Sequence, residues 1–389
     1  MTGQLTPNPY HFGSRVKSAV YFTDRAKELT TLTSHMINHQ NVILVAPRRY
    51  GKTSLLYRAM ATVHQQGGRT GRVSLMKCST TQEVAEVLMR GVARGPMGPL
   101  RGHATEFARR FRNMRVAPEF TFDPATGGAS VKFSVPHPNA NWRGVIEDVV
   151  HLLNDLNEDR HPVSLVIDEF QKAKEIEPDL PDVFKDLVDD VPDVSLVFAG
   201  SKRHLMDQMV NDRAHGALYN VGTKLYLQKI AETDFVDYLR ARAGGGGTSM
   251  SEDTARRIYA AASGIPNDVQ LIAFRAYQEA TQHPERAEIS SSDVDEAVRA
   301  AVGDQSDDFQ NTFDALAPSQ QLLLKLVARE EVTEIAGKQT IASLGVSNHA
   351  ATKAARALET RDLIARDGKL WTVNSGLLRE WLRDDDQMM

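Results

Sequence analysis

The stretch NVILVAPRRYGKTSLLYRAM, residues 41–60, contains the pattern on which the fold of this chain depends. It begins as an apolar, β-branched run, passes through the turn APRRYGKT and continues in a pattern typical of a helix. The turn nearly matches G-x-x-x-x-G-K-[ST], a motif in which backbone N–H groups and a helix N-terminus face phosphate. Ala46 stands in place of the first glycine. The stretch therefore predicts either a working phosphate loop or the remnant of one.

The residue after Ala46 favours a working loop. Pro47 disfavours the α region for the residue before it and favours an extended backbone, which alanine adopts readily. A left-handed backbone at Ala46 would cost about 1–2 kcal/mol, but the contacts to phosphate come later in the loop. In such a loop Lys52 reaches the outer phosphate oxygens and the Thr53 hydroxyl binds Mg²⁺. The predicted nucleotide-binding residues are Pro47, Arg48, Arg49, Tyr50, Gly51, Lys52, Thr53 and Ser54.

A second motif lies one strand-helix-strand span further along the chain. SLVIDEF, residues 164–170, is an apolar run that ends in two adjacent carboxylates, the form of a Walker B strand. Asp168 is predicted to hold Mg²⁺ through water, and Glu169 to orient and deprotonate the water that attacks the γ-phosphate. Such a pair is common after an apolar run, but not at this distance from a GKT loop. The two motifs together predict ATP and Mg²⁺ as cofactors.

Further polar residues follow the next apolar run, SLVFAGS at 195–201. The Ser201 hydroxyl is predicted either to lie between the carboxylates and the γ-phosphate or only to cap a helix. Lys202, Arg203 and Arg213 are the nearest cations in this topology. Each is either an arginine finger for a neighbouring subunit or a solvated side chain, and Arg213 is the candidate carried forward.

The arrangement of apolar runs predicts the fold class. Short apolar runs at 41–46, 72–78, 164–170, 195–201 and 223–230 alternate with helix-like stretches, which is typical of a parallel sheet with helices on both faces. A helical stretch follows, with GGGGTSM at 244–250 interpreted as flexible, and then three helices and two short strands. The predicted class is α/β: a P-loop NTPase core with a parallel sheet, an all-α domain and a C-terminal winged helix-turn-helix. The predicted domains are 1–232, with a basic and β-hairpin insertion at about 90–140, 233–305 and 316–389.

Composition limits the setting in which the protein works. The chain of 389 residues has a net charge of −4 and one cysteine, Cys78, which excludes an internal disulfide framework and fits a reducing cytosol. The opening has no signal-peptide pattern, and no run approaches the roughly 18–20 apolar residues that span a bilayer. These features predict a cytoplasmic protein with no membrane partner. Any contact to nucleic acid requires a local basic patch.

The first such patch is the segment 90–115, which carries seven arginines and one acid. It is either an amphipathic basic helix, with Arg109 and Arg110 as candidate DNA contacts, or a solvated face. Two alternating runs after it predict a β-hairpin.

The second patch is in the winged helix. Its third helix places His349, Lys353 and Arg356 on one face, where they would enter the major groove of double-stranded DNA. Residues 315–389 carry ten basic and ten acidic side chains, so counterion release would be small. The alternative is that this domain packs on the core or binds protein.

The chain as a whole resembles the AAA+-related archaeal-type P-loop ATPases of the STAND group. The segments that carry the resemblance are NPYHFGSRVKSAVYFTDRAKELTTL, APRRYGKTSLL, VIDEFQ, FAGSKRHLM, SGIPNDVQ and LLREWL. The resemblance implies ATP binding and a three-part fold, in which the core has an AAA+-like parallel sheet and the all-α domain is a lid. It also places Pro266 near the nucleotide base. The Gly-x-Pro helix start has no arginine, where fast AAA+ motors commonly have a second sensor. This departure favours a nucleotide-gated switch.

Three functions remain open at this point. The first is a slow ATPase switch in which ATP closes the lid on the core and repositions the winged helix. The second is a DNA-binding or protein-binding regulator whose nucleotide is structural and scarcely hydrolysed. The third is a scaffold that assembles into homo-oligomers. ATP and ADP are the predicted small-molecule partners in each.

Overall fold

The structure of the protein is a computed structural model. It describes residues 7–13, 23–96, 141–156, 161–213, 216–283 and 288–384, and the backbone of 117–123 and 128–134. The chain divides into two compact units. The sheet unit comprises Arg25–Arg48 and Leu55–Leu227, and the helical unit comprises Met1–Asp24, Arg49–Ser54 and Gln228–Met389.

The sheet unit is built on parallel strands. The first seven strands of the chain are β1 (Val42–Val45), β2 (Arg69–Ser74), β3 (Ala117–Asp123), β4 (Gly128–Ser134), β5 (Val163–Asp168), β6 (Val194–Gly200) and β7 (Thr223–Tyr226). Five of them form one sheet in the order β2-β5-β6-β1-β7, with every neighbouring pair parallel. Each overlaps one of the predicted apolar runs, so the predicted parallel sheet is confirmed. The strands β3 and β4 pair separately as an antiparallel hairpin.

Helices precede and connect the strands of the sheet unit. They are α1 (Ala26–Ile37), α2 (Lys52–Gln65), α3 (Thr81–Arg94), α4 (Trp142–Asp155), α5 (Ala173–Ile176), α6 (Leu180–Asp190) and α7 (Arg203–Asn211). The strands β1, β5 and β6 are buried along their whole length, as expected for central strands of a covered sheet. Phe170, Phe184 and Phe198 meet edge to face, with ring centroids 4.7–6.3 Å apart. This aromatic contact fixes the chain immediately after the end of β5.

The first part of the helical unit is a four-helix group. It contains α8 (Glu232–Gly245), β8 (Ser249–Met250), α9 (Glu252–Ala261), α10 (Pro266–Thr281), β9 (Glu288–Ile289) and α11 (Ser291–Gly303). The predicted flexibility of the glycine run is wrong at its start, because α8 extends through Gly245. At Gly246 a Cβ atom would lie 2.8 Å from Pro9 and 3.0 Å from Tyr277, so glycine is required for close packing. The N-terminal segment is fixed here too, since the Tyr10 hydroxyl donates to the Leu239 carbonyl at 2.8 Å.

The second part contains the C-terminal elements. They are α12 (Ser306–Asp314), α13 (Pro318–Arg329), α14 (Lys338–Leu344), α15 (Asn348–Thr360), β10 (Ile364–Asp367), β11 (Leu370–Val373) and α16 (Gly376–Asp384). Gly345 ends α14 with a left-handed backbone, and Ser347 caps α15. The strands β10 and β11 pair antiparallel, which completes the element order of a winged helix-turn-helix. This part shares one hydrophobic core with the four-helix group.

The predicted division into three domains stays a prediction. Among the described residues, no helix combines the length and the apolar composition that crossing a membrane requires.

Candidate functional site

The loop between β1 and α2 turns at two residues with a left-handed backbone. Arg49 has a φ of 69° and Gly51 a φ of 85°. This conformation is routine for glycine, whereas an arginine in it is strained. Helix α2 begins at Lys52, directly after Gly51. The first N–H groups of a helix have no partner within it, so this N-terminus is suited to an anion.

Ala46 precedes this turn and has no left-handed backbone. Its side chain is fully buried, and its N–H donates to the Gly200 carbonyl at 3.1 Å, which extends the pairing of β1 with β6. The position therefore calls for a small side chain and not for the conformational freedom of glycine. The substitution in the motif is compatible with an intact loop.

The side chains of the loop differ in exposure. Lys52 and Tyr50 are buried, and Arg48 and Arg49 are exposed. Pro47, Thr53 and Ser54 are partly exposed, and Gly51 is open to solvent on the side where a Cβ atom would stand. An open backbone at the glycine and a lysine at the first helical position are the features that phosphate requires.

Asp168 is the last residue of β5, and its side chain is 2% exposed. It forms an ion pair with Nη2 of Arg72, which comes from the neighbouring strand β2. The Arg72 guanidinium also lies 5.3 Å from the centroid of the Tyr57 ring and donates to the Tyr57 hydroxyl at 3.5 Å. A buried carboxylate at the sheet edge is thus balanced by a cation of the same sheet.

Glu169 follows with a left-handed backbone, at a φ of 57°. Its Oε2 accepts from the Ser201 hydroxyl at 2.7 Å and from Nε2 of Gln171 at 2.6 Å. Oε1 of Gln171 in turn accepts from the Ser201 N–H at 3.3 Å. Of the two roles predicted for Ser201, the structure therefore favours a contact near the carboxylates. Gln171 and Ser201 together fix the orientation of the Glu169 carboxylate.

The strand order explains why Glu169, Ser201 and the start of the phosphate loop lie at one edge of the sheet. Neighbouring strands β5, β6 and β1 run parallel and end at Asp168, Gly200 and Val45. Glu169, Ser201 and the phosphate loop begin where these strands end, the edge at which open α/β sheets bind ligands. Carboxylate and hydroxyl oxygens are the ligands that Mg²⁺ prefers, so the donor set fits a magnesium nucleotide.

Solved structures share this architecture over nearly the whole chain. A Walker-type ATPase of Pyrococcus abyssi is similar with a TM-score of 0.67 at 14% identity, and 95% of this chain and 98% of that one are covered. The ORC2 protein of Aeropyrum pernix, in its ADPNP–ADP complexes, is similar with a TM-score of 0.53 at 13% identity, over 97% and 96% of the two chains. The chain shares the fold of these two structures, and the predicted α/β class with an AAA+-like parallel sheet is confirmed. No protein-family model and no curated protein matches the sequence.

The other predicted residues of the sheet unit lie outside the hydrogen-bonded group of Glu169, Gln171 and Ser201. Arg213 is exposed beyond the end of α7. Lys202 is 3.6 Å from Glu175, and Arg203 is 3.7 Å from Asp207, so both have acidic neighbours.

The remaining predicted residues lie in the helical unit or outside the described part of the chain. Pro266 is the first residue of α10. His349, Lys353 and Arg356 are exposed along α15. Arg109 and Arg110 lie outside the described residues.

Sequence reasoning missed two residues of importance. Arg72 is a charged residue at the start of a predicted buried strand, and that signal could have identified it. Asp268 lies in the first turn of α10, where an acid is common because it favours the helix dipole. Nothing in the sequence distinguishes it from such an ordinary residue.

Proposed function

We propose that the protein is an ATP-binding and ATP-hydrolysing switch of the AAA+/STAND type. The observation that carries the proposal is the loop after β1, with its left-handed Arg49 and Gly51 and with α2 beginning at Lys52. The loop follows β1, which ends at the same edge of the sheet as β5, where Asp168 is the last residue of the strand and Glu169 follows it.

Each group has a defined task in this proposal. The loop N–H groups and Lys52 bind the phosphates, and Thr53 and Asp168 are the residues that would hold Mg²⁺. When bound, Mg²⁺ neutralises charge on the β- and γ-phosphate oxygens. Glu169 accepts the proton of the attacking water, and Ser201 and Gln171 keep its carboxylate in position. Because both donors occupy Oε2, we expect slow turnover.

The test is Glu169→Gln in the full chain. This variant should bind ATP as well as the wild type and release no phosphate, since an amide cannot take the proton of water. Glu177→Gln is the matched control, because Glu177 is a nearby glutamate engaged with Thr81 at 2.7 Å and with Arg143. Unchanged phosphate release in Glu169→Gln would overturn the assignment of Glu169 as the base.

A regulator with a structural nucleotide is the second candidate. The observation that favours it is the same pair of hydrogen bonds to Oε2 of Glu169, because hydrogen bonds to a carboxylate oxygen make it a weaker base. Phosphate release by the wild type discriminates the two functions. If the wild type copurifies with nucleotide and releases no phosphate, it is a regulator with a structural nucleotide.

DNA association is proposed through α15. His349, Lys353 and Arg356 are exposed at positions separated by four and three residues, so they share one face of the helix. Lys353→Ala with Arg356→Ala should weaken binding to a DNA duplex. The slope of log K against log salt concentration should fall in magnitude by about two, one for each lost phosphate contact. Arg361→Ala, at the C-terminus of the same helix, is the control. Equal affinity of the double variant and the wild type would leave protein as the partner of this face.

Two further measurements address partners. Phosphate release with and without double-stranded DNA tests whether the two ends of the chain act together, and stimulation is the expected result. Light scattering with and without a non-hydrolysable ATP analogue tests assembly, in which Arg213 would reach a neighbouring subunit. A mass that never changes with nucleotide would count against the homo-oligomer.

A further inference from the structure

Asp268 is a fully buried carboxylate that joins three segments of the helical unit. Its Oδ1 lies 3.4 Å from Nη1 of Arg49, in the phosphate loop. Its Oδ2 accepts from the Gly376 N–H at 3.2 Å, at the first residue of α16. Burial raises the pKa of this carboxyl, and Arg49 and the hydrogen-bond donors lower it. A buried charge persists only with such partners, so these contacts are required by the fold.

Arg49 is the strained residue of the loop. Its left-handed backbone is unfavourable for a non-glycine residue and persists only where the surroundings fix it. Two neighbours on α10 do so. The Asn267 N–H donates to the Arg49 carbonyl at 3.3 Å, and Asp268 binds the guanidinium. The backbone and the side chain of Arg49 are therefore both attached to the first turn of α10.

The beginning of α16 is attached to the same place. At Gly376 a Cβ atom would lie 2.3–2.6 Å from backbone atoms of Ala262, so the backbone of α16 packs directly against the end of α9 there. Nη2 of Arg379 donates to the Ala260 carbonyl at 2.6 Å. The Asp268 carboxylate faces the N-terminus of α16, which the helix dipole favours. We call Arg49, Asp268 and Gly376 the Asp268 junction.

We propose that Asp268 is a positioning residue that keeps the phosphate loop in its binding conformation at Arg49 and connects that conformation to the first turn of α16. The inference rests on the proposed nucleotide site and names its regulation. Because coupling is reciprocal, a nucleotide that requires this loop conformation also stabilises the junction. The nucleotide state thereby reaches the last helix of the C-terminal elements through one carboxylate.

The first test needs no nucleotide. Asp268→Asn should raise the hydrogen-exchange rate of the Asn267 amide, which donates to the Arg49 carbonyl, about tenfold, since the strained loop opens more often without its partner. In Arg49→Gly the loop takes its left-handed backbone without strain, so adding Asp268→Asn there should change little. Equal rates in Asp268→Asn and the wild type would overturn the proposal. So would a tenfold change that persists in the Arg49→Gly background.

The second test measures binding of Mg·ADP to the full chain by calorimetry. Asp268→Asn should raise Kd about tenfold, which corresponds to about 1.4 kcal/mol, and the Arg49→Gly background should remove most of that effect. ADP should also slow exchange at residues 376–379 in the wild type and leave it unchanged in Asp268→Asn. Bound ADP that leaves these amides unchanged in the wild type overturns the connection to α16.

Two variants keep these tests interpretable. Asp293→Asn is the matched control, because Asp293 is also a buried acid in the first turn of a helix, α11, where it forms a capping box with Ser290. It should leave the exchange rate of the Asn267 amide unchanged. If Asp268→Asn does not fold, Arg49→Gln removes the same contact from its exposed side. A wild type that binds no adenine nucleotide overturns the proposed function, and the exchange of the Asn267 amide then still tests the positioning role.

Discussion

Two buried aspartates, each facing an arginine, occupy different parts of the molecule. Asp168 ends β5 in the sheet unit, and its partner Arg72 comes from the adjacent strand. Asp268 begins α10 in the helical unit, and its partner Arg49 comes from a loop more than two hundred residues earlier in the chain. The exposed fractions of the arginines differ as well, at 22% for Arg72 and 41% for Arg49.

The difference shows how the same pair of charges can serve two purposes. Arg72 is placed by the register of the sheet, so the pair at Asp168 is formed wherever the sheet is formed. Arg49 lies on a strained loop, so the pair at Asp268 depends on the conformation of that loop. We therefore expect the first pair to contribute mainly to the stability of the fold and the second to contribute mainly to the state of the phosphate loop.

The largest effect on ATP binding is expected at Lys52, because the roles proposed for Asp168 and Asp268 both require a bound nucleotide. Lys52→Ala should raise the Kd for ATP by about 100-fold, because hydrogen bonds from a charged donor contribute roughly 1.5–3 kcal/mol. Calorimetric titration of the full chain measures this. Lys77→Ala, an exposed lysine after β2, is the control. If Lys52→Ala bound ATP normally, neither carboxylate would act on a nucleotide in the way proposed.

The arginines provide the direct test of the comparison. Arg72→Met should lower the free energy of unfolding by about 3 kcal/mol, because it leaves a buried carboxylate without its cation. Arg49→Met should cost about 1 kcal/mol or less, since this arginine is more exposed and Asp268 keeps its other hydrogen-bond donors. Urea unfolding followed by circular dichroism compares the two. Equal losses would erase the distinction between the pairs.

The pH dependence of stability sharpens the account of Asp268. Burial raises the pKa of this carboxyl above its usual value of 3.8. The folded state therefore disfavours ionisation, and stability is lost as pH rises from 3.8 through the folded pKa. Asp268→Asn does not titrate there. The stability of the wild type relative to this variant should accordingly decrease with rising pH, as measured by thermal unfolding, and an increase would contradict the assignment.

The smallest effect is expected at Ala46. Ala46→Gly should change the Kd for ATP by less than about threefold, because glycine adds only about 0.5–1 kcal/mol of backbone entropy at a position that needs no left-handed conformation. Gly51→Ala is the informative counterpart, since Gly51 has a φ of 85°. A much tighter binding of ATP by Ala46→Gly would mean that the loop does require glycine at the first position of the motif.

Much of the sheet unit followed from local patterns. The runs around Val42, Val163 and Val194 predicted buried parallel strands because a strand covered on both faces has no polar side to alternate with. The edge of the sheet then followed from topology, since parallel strands end together and bring Glu169 and Ser201 to one place. The order of the strands, with β6 between β1 and β5, could not be read from the sequence.

The sequence determined the loop, the carboxylates and the element order, because each depends on residues within one strand or turn. Only the tertiary structure determined the partners of those residues. Arg72 reaches Asp168 because β2 pairs with β5, and Arg49 reaches Asp268 because α10 begins beside the loop. Gly246 is a packing residue and not a flexible one for the same reason. Contacts between distant segments depend on the packing of whole elements, and a local pattern contains no information about that packing.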